Sequence, residues 1–248
     1  MTPAALALVG ITVLGTSFLS GIFGMAGGLI LLGVLLLFMD VVPAMVLFGI
    51  IQMGANGWRA FLWRARVEWA LVSRYLVGAT AAFLVMRLVA FVPDKALLYI
   101  GLGVLPFAAE LLPRRYWPDI TRPTGPYLCG IVIMVLQLMA GAAGHILDMF
   151  FQRSGLDRRS IVATKAVCQT TAHLFRVLYF GSLAQSFEGH VPVWAIVAAL
   201  ALAFLGTTLA ARVLEGMTDA DFRTWSRRIV HGVAVVFLVR GLWLLAVG

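Results

Sequence analysis

Two stretches of the chain write the same polar residues in the same order. QMGANGWR occupies 52–59 and QTTAHLFR occupies 169–176. Gln52, Asn56 and Arg59 of the first correspond to Gln169, His173 and Arg176 of the second, 117 residues later. Helix positions four apart share a face, and positions seven apart nearly do. Each stretch therefore presents a column of an amide, an amide or imidazole, and a guanidinium. Amide N–H groups donate to an oxyanion without bringing a charge that must itself be desolvated. A guanidinium at the mouth of such a site attracts and guides an anion; the alternative for Arg59 and Arg176 is to snorkel toward lipid headgroups. The chemistry suggested is the binding of a small anion.

A glycine cluster precedes each column: GMAGG at 24–28 and GAAGH at 141–145. In the same register Gly24 matches Gly141 and Gly27 matches Gly144, while Gly28 and His145 close the clusters. A helix that restarts after such a break offers unpaired N–H groups and a partial positive charge to an anion. Glycine lets the ligand approach the backbone; used for packing alone, it lets helices cross closely. The candidate substrate contacts are thus Gly24, Gly27, Gly28, Gln52 and Asn56 from one half. Gly141, Gly144, His145, Gln169 and His173 come from the other. Asp148, one turn beyond His145, could carry a coupling proton or pair with Lys165. His145, Asp148 and His173 could also be read as the centre of a membrane-embedded metalloenzyme. Their spacing matches no metal motif and no cysteine joins them, so neither catalysis nor a cofactor is expected.

The elements that carry these residues must live in a bilayer. The chain has 248 residues, 62% hydrophobic and 12% charged, against about half apolar and a quarter charged in soluble domains. Apolar runs of about 20 residues span a bilayer as helices. They lie at 3–23, 44–63, 70–92, 96–112, 161–180, 191–211 and 229–247. Alternation of period two is absent, which argues against a barrel. The net charge of +8 would suggest nucleic acid in a soluble protein. Here it marks cytoplasmic loops and lipid headgroups, and no nucleic-acid partner is expected. Cys129 and Cys168 sit in apolar runs and read as buried thiols. The N-terminal run lacks a basic leader and reads as the first helix, not a cleaved signal.

LLPRRYWPDITRPTGP, 111–126, divides the chain with four prolines and three arginines. Residues 1–112 then form one membrane repeat, 113–126 a cytoplasmic connector and 127–248 a second repeat. Register 117 also places Asp40 on Asp157 and Ala55 on Ala172. The apolar pieces after the glycines, 29–39 and 146–152, are too short to cross about 30 Å at about 1.5 Å per residue. Each half reads as a glycine-broken re-entrant helix pair followed by three transmembrane helices. With the pairs re-entrant, Arg64 and Arg66 share one side with Arg114, Arg115 and Arg122. Arg153, Arg158, Arg159, Arg223, Arg227 and Arg228 join them there. The basic side is cytoplasmic, so both termini face the periplasm of a bacterial inner membrane. The first pair enters from outside and the second from inside, which makes the repeats inverted.

SGIFGMAGGLILLGVLLL (20–37), AGAAGHILDMFF (140–151) and RRSIVATKAVCQTTAHLFRVLYF (158–180) resemble the TauE/SafE sulfite exporter family, also called TSUP. The resemblance covers nearly the whole chain. The second motif carries His145 where the family commonly has glycine. The resemblance implies an anion transporter of the bacterial inner membrane that moves sulfite, organosulfonates or related sulfur oxyanions. The expectation is an all-α polytopic secondary transporter of a small sulfur-containing anion, working by alternating access. An anion channel and the embedded metalloenzyme are the rival readings. The partners expected are the anionic substrate and the lipid bilayer.

Overall fold

The computed structural model describes residues 3–23, 26–183, 191–216 and 219–247. Gly24 lies outside them, as does the 186–190 segment of the expected outer side. The described residues are helical with short links and no strand. The first half contains α1 (Pro3–Phe23), α2 (Ala26–Phe38), α3 (Val41–Leu62), α4 (Trp69–Val89) and α5 (Lys95–Leu111). The second contains α6 (Gly125–Ala140), α7 (Gly144–Phe151), α8 (Arg158–Leu183), α9 (Val193–Gly216) and α10 (Asp219–Val247). Four segments are long and apolar enough to cross a membrane: Val41–Leu62, Trp69–Val89, Val193–Val213 and Arg228–Val247. The chain is a multi-pass membrane protein. Its outer faces are apolar, as lipid contact requires; on α4, Leu84, Val85 and Leu88 are largely exposed.

The helices after the glycines are short, with 13 residues in α2 and 8 in α7, or about 20 Å and 12 Å of rise. They begin earlier than the sequence suggested. Gly27, Gly28 and Gly144 belong to their first turns, instead of preceding them. Asp40 and Asp157, matched by the repeat, both stand just before a helix, α3 and α8. Asp157 accepts from the N–H groups of Arg159 and Ser160 at 2.9 and 3.2 Å, as an N-terminal cap does. The hydrogen bonds from Ser160 hold its carboxyl below the usual carboxylate range.

Packing brings the halves together throughout. α3 lies along α8, α5 along α10, α1 along α9 and α4 along α6. Gly49 faces His173 and Val177 while Gly57 faces Thr170, so α3 and α8 run antiparallel. Gly103 faces Ala234 and Leu238 while Gly241 faces Ala96 and Ile100, so α5 and α10 do too. Exchanging the halves, α1 for α6 and so on, converts the α1–α9 contact into α6–α4 and α2–α10 into α7–α5. In a bilayer, helices associate through close backbone approach at small residues. The α4–α6 crossing is of that kind: a Cβ on Gly78 would strike the Tyr127 carbonyl, and one on Gly130 the Tyr75 carbonyl.

Gly130→Val should therefore lower detergent stability by about 1–3 kcal/mol through overpacking. Gly181→Ala, which meets nothing within 4 Å, should leave it unchanged or slightly raised. Thermal unfolding midpoints of the two purified variants check the pair.

Candidate functional site

The site begins with two buried cations. Arg59 is 7% exposed and Arg176 is fully buried, so neither sits at an opening or reaches headgroups. This corrects the expectation of arginines at the mouths. Arg59 Nη2 donates to the Ser20 carbonyl of α1 at 2.8 Å. Arg176 Nη2 donates to the Gln137 carbonyl of α6 at 2.8 Å and to the Gly141 carbonyl. Ser20 and Gln137 are themselves 117 residues apart, so the two bonds are repeat mates. The last carbonyls of a helix have no intrahelical partner and carry partial negative charge. Each guanidinium thus closes the broken end of the helix that its own half interrupts. Among the described residues neither forms an ion pair with a carboxylate.

These anchors set the hairpin tips against the α3–α8 pair. Between them lies a polar cavity of about 30 Å³. From the first half it is lined by Gly28, Phe48, Gln52 and Asn56. From the second it is lined by Gly144, His145, Gln169, His173 and Gln137. Both columns of the sequence signature meet here, with the first turns of α2 and α7. No Asp or Glu lines the space among the described residues. Gln137 Nε2, His145 Nε2 and His173 Nδ1 are buried without a hydrogen-bond partner among those residues. Buried polar groups are normally paired, so these atoms are the ones a guest would satisfy. Phe48 forms one wall; its ring meets His173 edge-on at 5.4 Å and carries the Arg176 guanidinium on its face at 4.8 Å. Asn56 is oriented by donating to the Gln52 carbonyl at 2.8 Å, with Arg59 Nη1 on its Oδ1 at 3.4 Å.

Other candidates fall elsewhere. Gly27 lies off the cavity, its missing Cβ directed at the Thr16 carbonyl and Ser20 Oγ of α1; it closes the hairpin. Gly141 caps α6 in the left-handed conformation, φ 80°, and lies off the cavity, its carbonyl held by Arg176. Asp148 and Lys165 pair with each other one turn away. His145, Asp148 and His173 do not gather into a three-group metal cluster among the described residues. Two larger grooves are almost wholly apolar, about 540 Å³ between α1, α3 and α9 and about 360 Å³ between α2, α5 and α10. They offer no ring of donors.

Sequence reasoning missed Gln137 and Phe48. Gln137 was legible only as the register mate of Ser20, a match of unlike residues; Phe48, the mate of Lys165, carried no polar signal.

Residues 8–240 match the family model described as sulfite exporter TauE/SafE. No curated protein matches the chain. No solved structure matches it either.

Alanine in place of Gln52, Gln137 or Gln169 should weaken anion binding with little loss of fold. A hydrogen bond to a charged partner is worth about 1.5–3 kcal/mol, which is roughly ten- to a hundred-fold in affinity. Calorimetry on purified protein measures it. The adjacent glycines should separate two roles. Gly27→Ala should lower hairpin stability, because its Cβ meets backbone. Gly28→Ala should mainly lower affinity, because its Cβ meets the Gln52 side-chain amide at 2.5 Å.

Proposed function

The chain belongs to the sulfite exporter TauE/SafE family, and we propose that it carries a small sulfur oxyanion, sulfite or a sulfonate, across a bacterial inner membrane. One observation carries this reading: two repeat-mated columns converge on one cavity that holds hydrogen-bond donors and no carboxylate. Amide donors, two imidazoles and two helix N-termini surround the space, with two guanidinium groups one layer behind. That field favours an anion and disfavours a cation. The volume, about 30 Å³, suits a compact inorganic or alkyl anion better than a bulky organic one.

The halves, 1–112 and 127–248 about the 113–126 connector, are read as inverted repeats. The antiparallel self-pairing of α3 with α8 and of α5 with α10 supports this, since a two-fold axis in the membrane plane reverses each helix onto its mate. Broken helices meeting at mid-membrane are the usual substrate site of such carriers. The ten helices of the described residues, alternating in direction, would return the chain to its starting side. The arginine-bearing links 63–68, 112–124 and 152–157 share the opposite side, which the charge rule makes cytoplasmic. Alternating access then exposes the single cavity to each side in turn.

In proteoliposomes, the purified protein should exchange labelled sulfite or methanesulfonate at saturable, carrier-like rates. The Gln52→Ala/Gln169→Ala variant should lose nearly all of that flux. Currents too large for a carrier would select a channel instead, and turnover of substrate dependent on a tightly bound metal would select an enzyme. Reporter fusions at both ends should read periplasmic; a cytoplasmic signal from either end would overturn the inverted arrangement.

A further inference from the structure

The two halves agree in their anchors but not beside the cavity. Register 117 places Leu31 opposite Asp148 and Phe48 opposite Lys165. On the first-half side, Leu31 and Phe48 are each 1% exposed and apolar. On the other side Asp148 and Lys165 form an ion pair, partly buried at 20% and 18%. Lys165 is one turn before Gln169 on α8, and Asp148 is one turn after Gly144 on α7. The pair therefore stands between the cavity and the 152–157 link. It joins the short helix of the broken pair to the long helix that carries the polar column.

The charges around the pair are unbalanced. Arg59 of α3 acts on Lys165 as a like charge. His145, on the same face of α7, feels both Lys165 and His231 of α10, and His231 contacts Glu110 of α5 at 3.2 Å. Asp148 is the one carboxylate paired with Lys165 among the described residues. An anion seated against Gln169 lies one helical turn from the Lys165 ammonium, and could replace Asp148 as its counter-ion.

We infer that the Asp148–Lys165 pair is a one-sided electrostatic gate: an anion entering from the 152–157 side displaces Asp148 and takes Lys165 as a binding partner. The mated positions on the opposite side, Leu31 and Phe48, are buried and apolar and offer no such partner. This rests on the anion-carrier reading and extends it by naming a cation, Lys165 in the third turn of α8, that does not line the resting cavity. Lys165 keeps one anionic partner at each step, and the displaced Asp148 carboxylate, already 20% exposed, turns to water on the 152–157 side.

The two single variants should move affinity in opposite directions. Asp148→Asn removes the competitor and should tighten sulfite and methanesulfonate binding about ten-fold. Lys165→Gln removes the partner and leaves Asp148 to repel the ligand; it should weaken binding about ten-fold or more, a charge-assisted bond being worth about 1.5–3 kcal/mol. Asp148→Leu/Lys165→Phe copies the apolar pair of the first half and serves as the folded control, with affinity between the two. In oriented vesicles, the KM shift of Asp148→Asn should appear on the 152–157 side and not on the other. Parallel weakening in both single variants would mean a merely structural pair and would overturn the gate. Equal KM shifts on both faces would overturn its one-sidedness. Wild-type protein that binds neither anion would defeat the carrier reading itself, and the gate with it. Normal wild-type binding without the opposed shifts would defeat the gate alone.

Discussion

Each broken helix leaves carbonyls inside the packed bundle, and the fold answers with a buried guanidinium. An unpaired backbone group in hydrocarbon costs several kcal/mol, and so does a buried cation. Joined, each reduces the cost of the other. Arg59 on Ser20 and Arg176 on Gln137 and Gly141 fix where the α1–α2 and α6–α7 hairpins stop. Those tips then place Gly28 against Gln52 and set Gly144 and His145 on the wall shared with Gln169 and His173. The cavity follows from the anchors. Its electrostatic character follows as well, because carbonyl oxygens soften but do not cancel two positive charges, and no carboxylate lines the space among the described residues. An anion completes that arrangement better than any cation would.

The repeat divides its residues by function. Groups that hold the scaffold are kept identical in both halves, Arg59 and Arg176, as are the central amides of the site, Gln52 and Gln169. Other cavity-lining groups have diverged, with Asn56 matched to His173 and Gly28 to His145 in the repeat register. Backbone anchoring has one good answer, a forked donor. Ligand recognition does not, since a binding site lying between the repeats needs only one copy of each donor. The resulting cavity is asymmetric in side chains, though built by a symmetric packing of helices.

This division explains what could be read from the sequence. The helices were legible because apolar runs and Gly or Pro breaks are composition-level signals. The columns Gln52–Asn56 and Gln169–His173 were legible because polar residues are rare in such runs and recurred in register. Arginine placement was not. A guanidinium near a helix end looks the same in sequence whether it reaches headgroups or turns inward to a carbonyl, and only the neighbouring broken helix decides. Nor could Gly27 and Gly28 be told apart; adjacent helix residues point about 100° apart, so one faces α1 and the other faces Gln52. Gln137 stayed hidden in an apolar run because its mate is a serine.

Asymmetry beside the cavity bears on direction. In the proposed carrier, two identical inverted repeats would make the inward-open and outward-open states equal in energy, since each is the other with the halves exchanged. Every difference between mates then shifts that balance. Most differences here exchange one neutral polar group for another, worth about a kcal/mol or less. Replacing the apolar residues Leu31 and Phe48 by the Asp148–Lys165 pair is larger in kind, because opening the proposed gate hydrates two charges while opening at the mated positions hydrates hydrocarbon. Hydration of ions offsets the lost ion pair, whereas hydration of Leu31 and Phe48 is uncompensated. In the proposed carrier the side bearing the charged pair is therefore the easier one to open, which would bias its empty state toward the 152–157 face.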